Sequence, residues 1–338
     1  MRIFSGIQPT GRKHLGNYIG AILNYVEGQD RGDPAIYCIV DLHATTVAYD
    51  PAELRRRSQE TAALLVAAGL DPDRCILFRQ GDVQEHTELM WLLSSVTSVG
   101  QLNRMHQFRD KAGAARDRVS AGLLYYPVLM AADVLAYRAH EVPVGEDQRE
   151  HIELMRDVAE AFNKRFGETL VVPEGNIPRV GARVRDLQDP TKKMSTTGGT
   201  EKGTVYVDEE PASILKKFKS AQTDSGREIV CAEDKPGITN MIEILAVVRG
   251  STPADIEREF ADAGGYGEFK RIVGEEVAEW LAPVRTRYLE LREDTAAIEE
   301  ILAAGAEKAH ALAAPVVAEV RDRMGVGRPS QVSVPPGA

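Results

Sequence analysis

Residues 35–41, "AIYCIVD", are apolar almost throughout, and this stretch restricts the fold of the 338-residue chain more than any other. A strand with one wet face alternates apolar and polar side chains, whereas a strand covered on both faces reads as a continuous apolar run. Two similar runs flank it, "RIFSGI" at 2–7 and "RCILFR" at 74–79. Between them lie helical patterns, "NYIGAILNYVEG" (17–28) and "DPAELRRRSQETAALLVAAGL" (50–70). The second carries its own punctuation: Asp50 as N-cap, Pro51 at the first helical position, Glu53 completing a capping-box-like pair, and Gly69 at the close. "EHTELMWLLSSVTSV" (85–99) reads as one further helix. Strand and helix alternating through such short connections predict an open parallel sheet, doubly wound, with helices on both faces.

Further on, "GLLYYPVLMAADVLAYR" (122–138) predicts an apolar helix and "EVPVG" (141–145) a short strand. A helix over 146–167 follows, with Ile152, Met155, Ala159, Phe162 and Phe166 on one stripe. From about residue 210 the chain is rich in Ala, Glu and Arg and reads as helices at 213–221, 238–248, 252–261, 269–293 and 295–324. The expected organisation is an α/β domain over 1–200 and a helical domain over 205–326, the last long helix packing back on the first. A tail at 327–338 without hydrophobic periodicity is expected to be disordered. Length alone supports roughly two domains.

A net charge of −10 argues against a general basic coat for nucleic acid, while leaving room for a local basic track. The three cysteines, Cys38, Cys75 and Cys231, are scattered and form no zinc spacing, which fits a reduced, cytoplasmic protein. No pair of histidines has metal-binding spacing on one helical face, and no protein metal site is expected. The N-terminal stretch lacks the pattern of a secretory signal, and no run of about 18 apolar residues predicts a membrane span.

In open parallel sheets, ligands bind where the loops leave the carboxyl ends of the strands. The loop after the first strand, "GIQPTGRKHLGNYIG" (6–20), has Gly11 and Gly16 for tight turning, with His14 and Asn17 at the mouth of the next helix. A helix N-terminus of this kind is a natural phosphate site, although such a turn can equally serve geometry alone. A second loop, "DPTKKMSTTGGT" (189–200), is too polar for a core segment and too rich in glycine for a helix. Its Lys192 and Lys193 suit an anion.

These two loops carry a resemblance. "HLGN" (14–17) is similar to the HIGH signature and "KMSTT" (193–197) to the KMSKS signature of class I aminoacyl-tRNA synthetases. Together with "CIVDLHATTV", "SAGLLYYPVLMAADVL" and "VPVGEDQREHIELMRDVAEAFNKRFG", they resemble the bacterial tryptophanyl-tRNA synthetase family over residues 1 to about 326. The resemblance implies a Rossmann-like nucleotide-binding fold and then an all-helical domain that recognises tRNA. It implies activation of L-tryptophan by ATP with Mg²⁺, and transfer to the 3′ end of tRNA(Trp). It also implies a homodimer built around the helical region at 80–135, and no membrane partner.

By the same resemblance, Lys111, Lys193, Gln8 and Thr196 are the catalytic positions. Gln8, Pro9, Thr10, His14, Gly16, Asn17, Gly145, Asp147, Val184, Lys192, Lys193, Met194 and Ser195 would hold ATP. Phe4, Gly6, Val40, His43, Tyr126, Met130, Asp133, Val142, Val144 and Gln148 would form the tryptophan pocket. Indole has a single hydrogen-bonding group, its N–H, so the pocket needs one acceptor. Asp133 is the candidate, because a carboxylate inside "LMAADVL" is costly without a partner; the competing expectation pairs it with Arg138. For Met130 and the valines, core packing alone is the competing role, and for Lys111 a solvated helix end.

The chain departs from the pattern at Thr196, where the family has the second lysine of its loop signature. Charge-assisted bonds are roughly twice as strong as neutral ones, and losing one such donor costs about 10²–10³-fold in rate at comparable sites. Lys192, or Lys202 beyond Gly198 and Gly199, is a candidate to substitute. Lys216, Lys217 and Lys219, with Arg285 and Arg287, are candidates to face tRNA, or else ordinary solvated helix faces. Two alternatives stand beside ligation: a nucleotidyltransferase sharing the ATP site, and a diverged paralogue that senses tryptophan or RNA.

Overall fold

The computed structural model describes residues 1–106, 120–145, 148–176, 184–196 and 198–329. Five parallel strands form one sheet in the order β3-β2-β1-β4-β5. They are β1 (Ile3–Ile7), β2 (Ala35–Ile39), β3 (Ile76–Arg79), β4 (Glu141–Pro143) and β5 (Glu174–Asn176). Every residue of β2 is buried, as a central strand covered on both faces requires. Periodicity gave no sign of β5, because its three residues are exposed and lie at the edge, where pairing to β4 alone holds them.

The strand order reverses between β1 and β4, so the loops leaving these two strands part and open a crevice. From β1 the chain enters helix α1, which starts at Leu15–Asn17, passes through a π turn at Tyr18–Ile22 and continues as Leu23–Asp30. After β2 come the single turn α2 (Asp41–Ala44) and helix α3 (Pro51–Ala67). Asp50 caps α3 by accepting from the Glu53 amide, but the reciprocal half of a capping box is absent among the bonds found. The Glu53 carboxylate instead pairs with Arg56 and Arg57 one turn on.

The expected helix over 85–99 is divided. α4 (Glu85–Leu93) tightens into a 3₁₀ turn, and α5 (Val99–Arg104) starts afresh with Ser98 as its cap. Ser94, Ser95 and Thr97 hydroxyls bond back to carbonyls three or four residues earlier, the competition that weakens a helix interior. α6 (Ala121–Leu135) and α7 (Arg149–Phe166) cover one face of the sheet, and the predicted stripe of α7 is buried except at Phe166, which is partly exposed.

The remaining helices are α8 (Pro211–Lys219), α9 (Pro236–Arg249), α10 (Pro253–Glu259), α11 (Tyr266–Leu291) and α12 (Thr295–Met324). α8 and α11 pack together beside the other face of the sheet, sharing a core with Ile3, Tyr37 and Leu77. α12 is long and apolar enough by composition to cross a membrane, yet its apolar stripe lies on edge strand β3 and on α4. A side chain at Gly305 would place its Cβ 1.8 Å from the Leu77 carbonyl oxygen, so only glycine allows this approach. Arg79 of β3 and Glu299 of α12 reinforce it with a two-bond ion pair. The edge of the sheet is thereby covered.

Candidate active site

A cavity of about 420 Å³ opens at the carboxyl ends of β1 and β4. All ten expected tryptophan-pocket residues line it: Phe4, Gly6, Val40, His43, Tyr126, Met130, Asp133, Val142, Val144 and Gln148. Of the expected ATP residues, Gln8, Gly16, Asn17, Gly145 and Lys193 line the same cavity. Gly20 and Ala21 join them from the π turn of α1, a distortion often found where a helix serves a ligand. Pro9, Thr10, His14, Val184, Lys192, Met194, Ser195 and Thr196 are not among the lining residues. Lys111 and Asp147 lie outside the described residues.

Asp133 is 1% exposed and is held by three side chains. His43 Nε2 lies 2.8 Å from Oδ2, while Gln80 Nε2 and His86 Nδ1 each lie 2.6 Å from Oδ1. Burial pushes the carboxyl up, but the hydrogen bonds from His43 and His86 outweigh it and bring it down to about 2. The carboxylate is therefore ionised at neutral pH. Oδ1 already accepts twice and Oδ2 once among these bonds, which leaves acceptor capacity on Oδ2. Arg138 is not the partner: it pairs with Glu319 at 2.5 Å and donates to the Thr169 carbonyl.

Sequence reasoning missed Gln80, His86 and Tyr137. Gln80 follows directly on β3, at the carboxyl end where functional side chains gather. Its amide oxygen also accepts from the Leu42 amide, which fixes the turn α2 that carries His43. His86 Nε2 contacts the Tyr137 hydroxyl at 2.7 Å, and a lone histidine on the apolar face of α4 was the only available signal.

At the other loop, His14 caps α1: its Nδ1 accepts from the Asn17 amide, and its own amide donates to Asn17 Oδ1. Burial, then the charges of Lys13 and Lys193, pull the imidazole down to about 4. The ring is neutral at pH 7, and because Nδ1 accepts, its proton sits on Nε2, as a donor.

The lysine-bearing loop is built on a short antiparallel pairing. Met194 donates to the Val184 carbonyl, and the Asp186 amide to the Lys192 carbonyl. Asn240 of α9 holds the same segment by bonding both the amide and the carbonyl of Arg185. Buried Asp186 accepts from the amides of Gln188, Asp189 and Thr200 and closes the loop on itself. Met194 and Val184 are buried beneath, while Lys193 reaches the cavity. Lys192 pairs with Asp189 at 2.9 Å instead, and Lys202 is exposed and not among the lining residues. Thr196 donates to the Arg12 carbonyl at 3.0 Å and packs on Gly11, whose φ of +63° suits glycine.

Among the candidates for tRNA, Lys217 is corrected: it is buried, paired with Glu209 and bonded to the Thr204 carbonyl. Arg285 pairs with Glu210, whereas Lys216, Lys219 and Arg287 are exposed. Among the described residues no group of three His, Cys, Asp or Glu side chains could hold a metal ion.

Comparison with known proteins shows the family. The family described as tRNA synthetases class I (W and Y) matches residues 1–282. Tryptophan–tRNA ligase 2 of Streptomyces avermitilis is 48% identical over 327 residues, covering 96% of each chain. Tryptophan–tRNA ligase of Bacillus anthracis is 47% identical, covering 96% of this chain and 98% of its own. The tryptophanyl-tRNA synthetase of Mycoplasma pneumoniae superposes with a TM-score of 0.88 at 32% identity, over 96% of this chain and 98% of its own. That of Campylobacter jejuni, complexed with ADP and tryptophan, gives 0.82 at 32% identity, over 96% and 100%.

Proposed function

The chain belongs to the class I tRNA synthetases of the W and Y family and is a tryptophan–tRNA ligase by activity, and we propose that the crevice between β1 and β4 is where its reaction starts. The observation that carries this placement is the cavity itself, which ten pocket positions and Lys193 line together. Its volume suits an amino acid and part of a nucleotide.

In this reading the indole lies among Phe4, Val40, Met130 and Val142, and its N–H donates to Asp133 Oδ2. Oδ2 keeps acceptor capacity for that N–H beside its bond to His43, so a side chain that covers it without a donor leaves that capacity unmet and is disfavoured. The tryptophan carboxylate attacks the α-phosphorus of ATP, and charge builds on the leaving pyrophosphate. Catalysis of such a step is positioning plus stabilisation of phosphate oxygens. Lys193 supplies a cation from the cavity wall, and neutral His14 orders the start of α1 behind that wall through its bonds with Asn17. Lys111 and Asp147 keep the roles their motif implies. Mg²⁺ would enter with ATP, bound mainly by the phosphates and water.

Residues 1–200 form the catalytic part and 205–326 the part that recognises tRNA, with exposed Lys216, Lys219 and Arg287 as candidate contacts. The protein is a homodimer: Trp91, 71% exposed, and Val99, 64% exposed, are two large apolar side chains within the 80–135 region that a second copy would cover. Three free thiols suit a reducing cytoplasm.

The test is tryptophan-dependent ATP–pyrophosphate exchange, followed by charging of tRNA(Trp). Exchange with tryptophan, and none with tyrosine, supports the reading. Tight tryptophan binding without exchange would instead support the sensor alternative that Thr196 suggests.

A further inference from the structure

Lys13 is a buried lysine, 9% exposed, in the loop between β1 and α1. Among the described residues it has no carboxylate within ion-pair distance. Glu60 and Asp208, which line the same small crevice, are taken by arginines: Glu60 by Arg56 and Arg57, Asp208 by Arg12. The Lys13 ammonium donates instead to the carbonyls of Gln8, at 2.7 Å, and Thr10, at 3.2 Å. A buried charge without a counter-ion is expensive, so a cheaper apolar side chain would serve if only volume mattered.

Its backbone is fixed as well. The Lys13 carbonyl accepts from the Val207 amide, and the neighbouring Leu15 amide donates to Val205. The ammonium therefore works from a rigid base, and what it holds is the run 8–10 that leads from β1 into the cavity through Gln8. Thr196, which lacks the family's lysine, rests on Gly11 and Arg12, immediately before it.

We propose that Lys13 is a positioning residue of the nucleotide site: it clamps the carbonyls of Gln8 and Thr10 and adds, beside His14, a positive charge that Thr196 does not provide. The proposal rests on reading the cavity between β1 and β4, and not the small crevice beside Lys13, as the ATP site. Lys13 acts through the loop and its field, with no contact to substrate required.

Groups facing it are Arg57 and Glu60 from α3, Tyr288 from α11, Asp208 from the 205–208 segment, and Arg12 and His14 on its own loop. Burial, then the charge of Arg57, lowers the Lys13 ammonium to about 8. Its charge is present at neutral pH and is lost as pH rises past that value.

The experiment is pyrophosphate exchange by the full chain, the natural protein beside Lys13→Met and Lys13→Arg. Lys13→Met is expected to raise KM for ATP about tenfold while KM for tryptophan moves less than about twofold. In the natural protein kcat/KM for ATP should fall above about pH 8, and Lys13→Arg, always charged, should hold it level to higher pH. An unchanged KM for ATP in Lys13→Met overturns the proposal. So does an identical alkaline fall in natural protein and Lys13→Arg, which decides the matter if Lys13→Met does not fold. Should Lys13→Arg not fold either, a natural profile that stays level through pH 9 overturns it, and a fall near pH 8 supports it. Absence of exchange in the natural protein would overturn the reading of the site itself, a separate result.

Discussion

His86 Nδ1 lies 2.6 Å from Asp133 Oδ1, and neither side chain has more than 1% of its surface exposed. The contact joins two helices, α4 and α6, so the carboxylate proposed to accept from the indole is oriented from behind. Replacing His86 with phenylalanine keeps an aromatic ring but removes the donor. KM for tryptophan should rise about tenfold or more, because a hydrogen bond to a charged group contributes about 1.5–3 kcal/mol. Steady-state exchange at varied tryptophan checks this, and an unchanged KM would show that His43 and Gln80 suffice.

Asp133→Asn should do more damage to selection than to folding. The amide can present an N–H where an acceptor is needed, so kcat/KM for tryptophan should drop about 10²-fold or more. The ratio of tryptophan- to phenylalanine-dependent exchange reads the loss of discrimination directly. A preserved ratio would remove Asp133 from the indole site.

Asp133 also sets a pH dependence of stability. Its folded carboxyl is held at about 2, below the ordinary value of 3.8, so the unfolded chain binds the proton more readily. The resulting contribution, about 2 kcal/mol by linkage, is complete above about pH 4 and disappears as pH falls towards 2. Urea unfolding between pH 2 and 6 should show this loss reduced in Asp133→Asn, after allowing for the other carboxylates.

Thr196→Lys restores a cation on the loop that touches Gly11 and Arg12. If Lys13 already provides positive charge there, the gain in exchange rate should be small in the natural chain, under about tenfold, and larger in a Lys13→Met background. A double-mutant cycle measures that coupling. Equal gains in both backgrounds would mean the two positions act independently.

Gly305→Ala should destabilise by about 3 kcal/mol or more, since its Cβ would fall 1.8 Å from the Leu77 carbonyl and force α12 off the sheet edge. Equilibrium unfolding in urea checks this, and wild-type stability would mean that α12 can shift freely.

The sequence by itself determined much of this protein, wherever short-range chemistry speaks plainly. The apolar run at 35–41 was enough for a parallel central strand, and β2 is buried at every residue. The ten positions that the ordered motif blocks assigned to a tryptophan pocket all line one cavity. Three-residue β5 escaped notice because an exposed edge strand has no hydrophobic pattern. Only the tertiary structure decided the partners of buried charges. Asp133 turned to His43, Gln80 and His86 and not to nearby Arg138, and Lys217 proved to be an internal ion pair. Lys13 likewise became a clamp within its own loop. The reason is physical. Secondary structure follows from local periodicity, whereas the cost of burying a charge is met by groups from distant strands and helices, which meet only when the chain has folded.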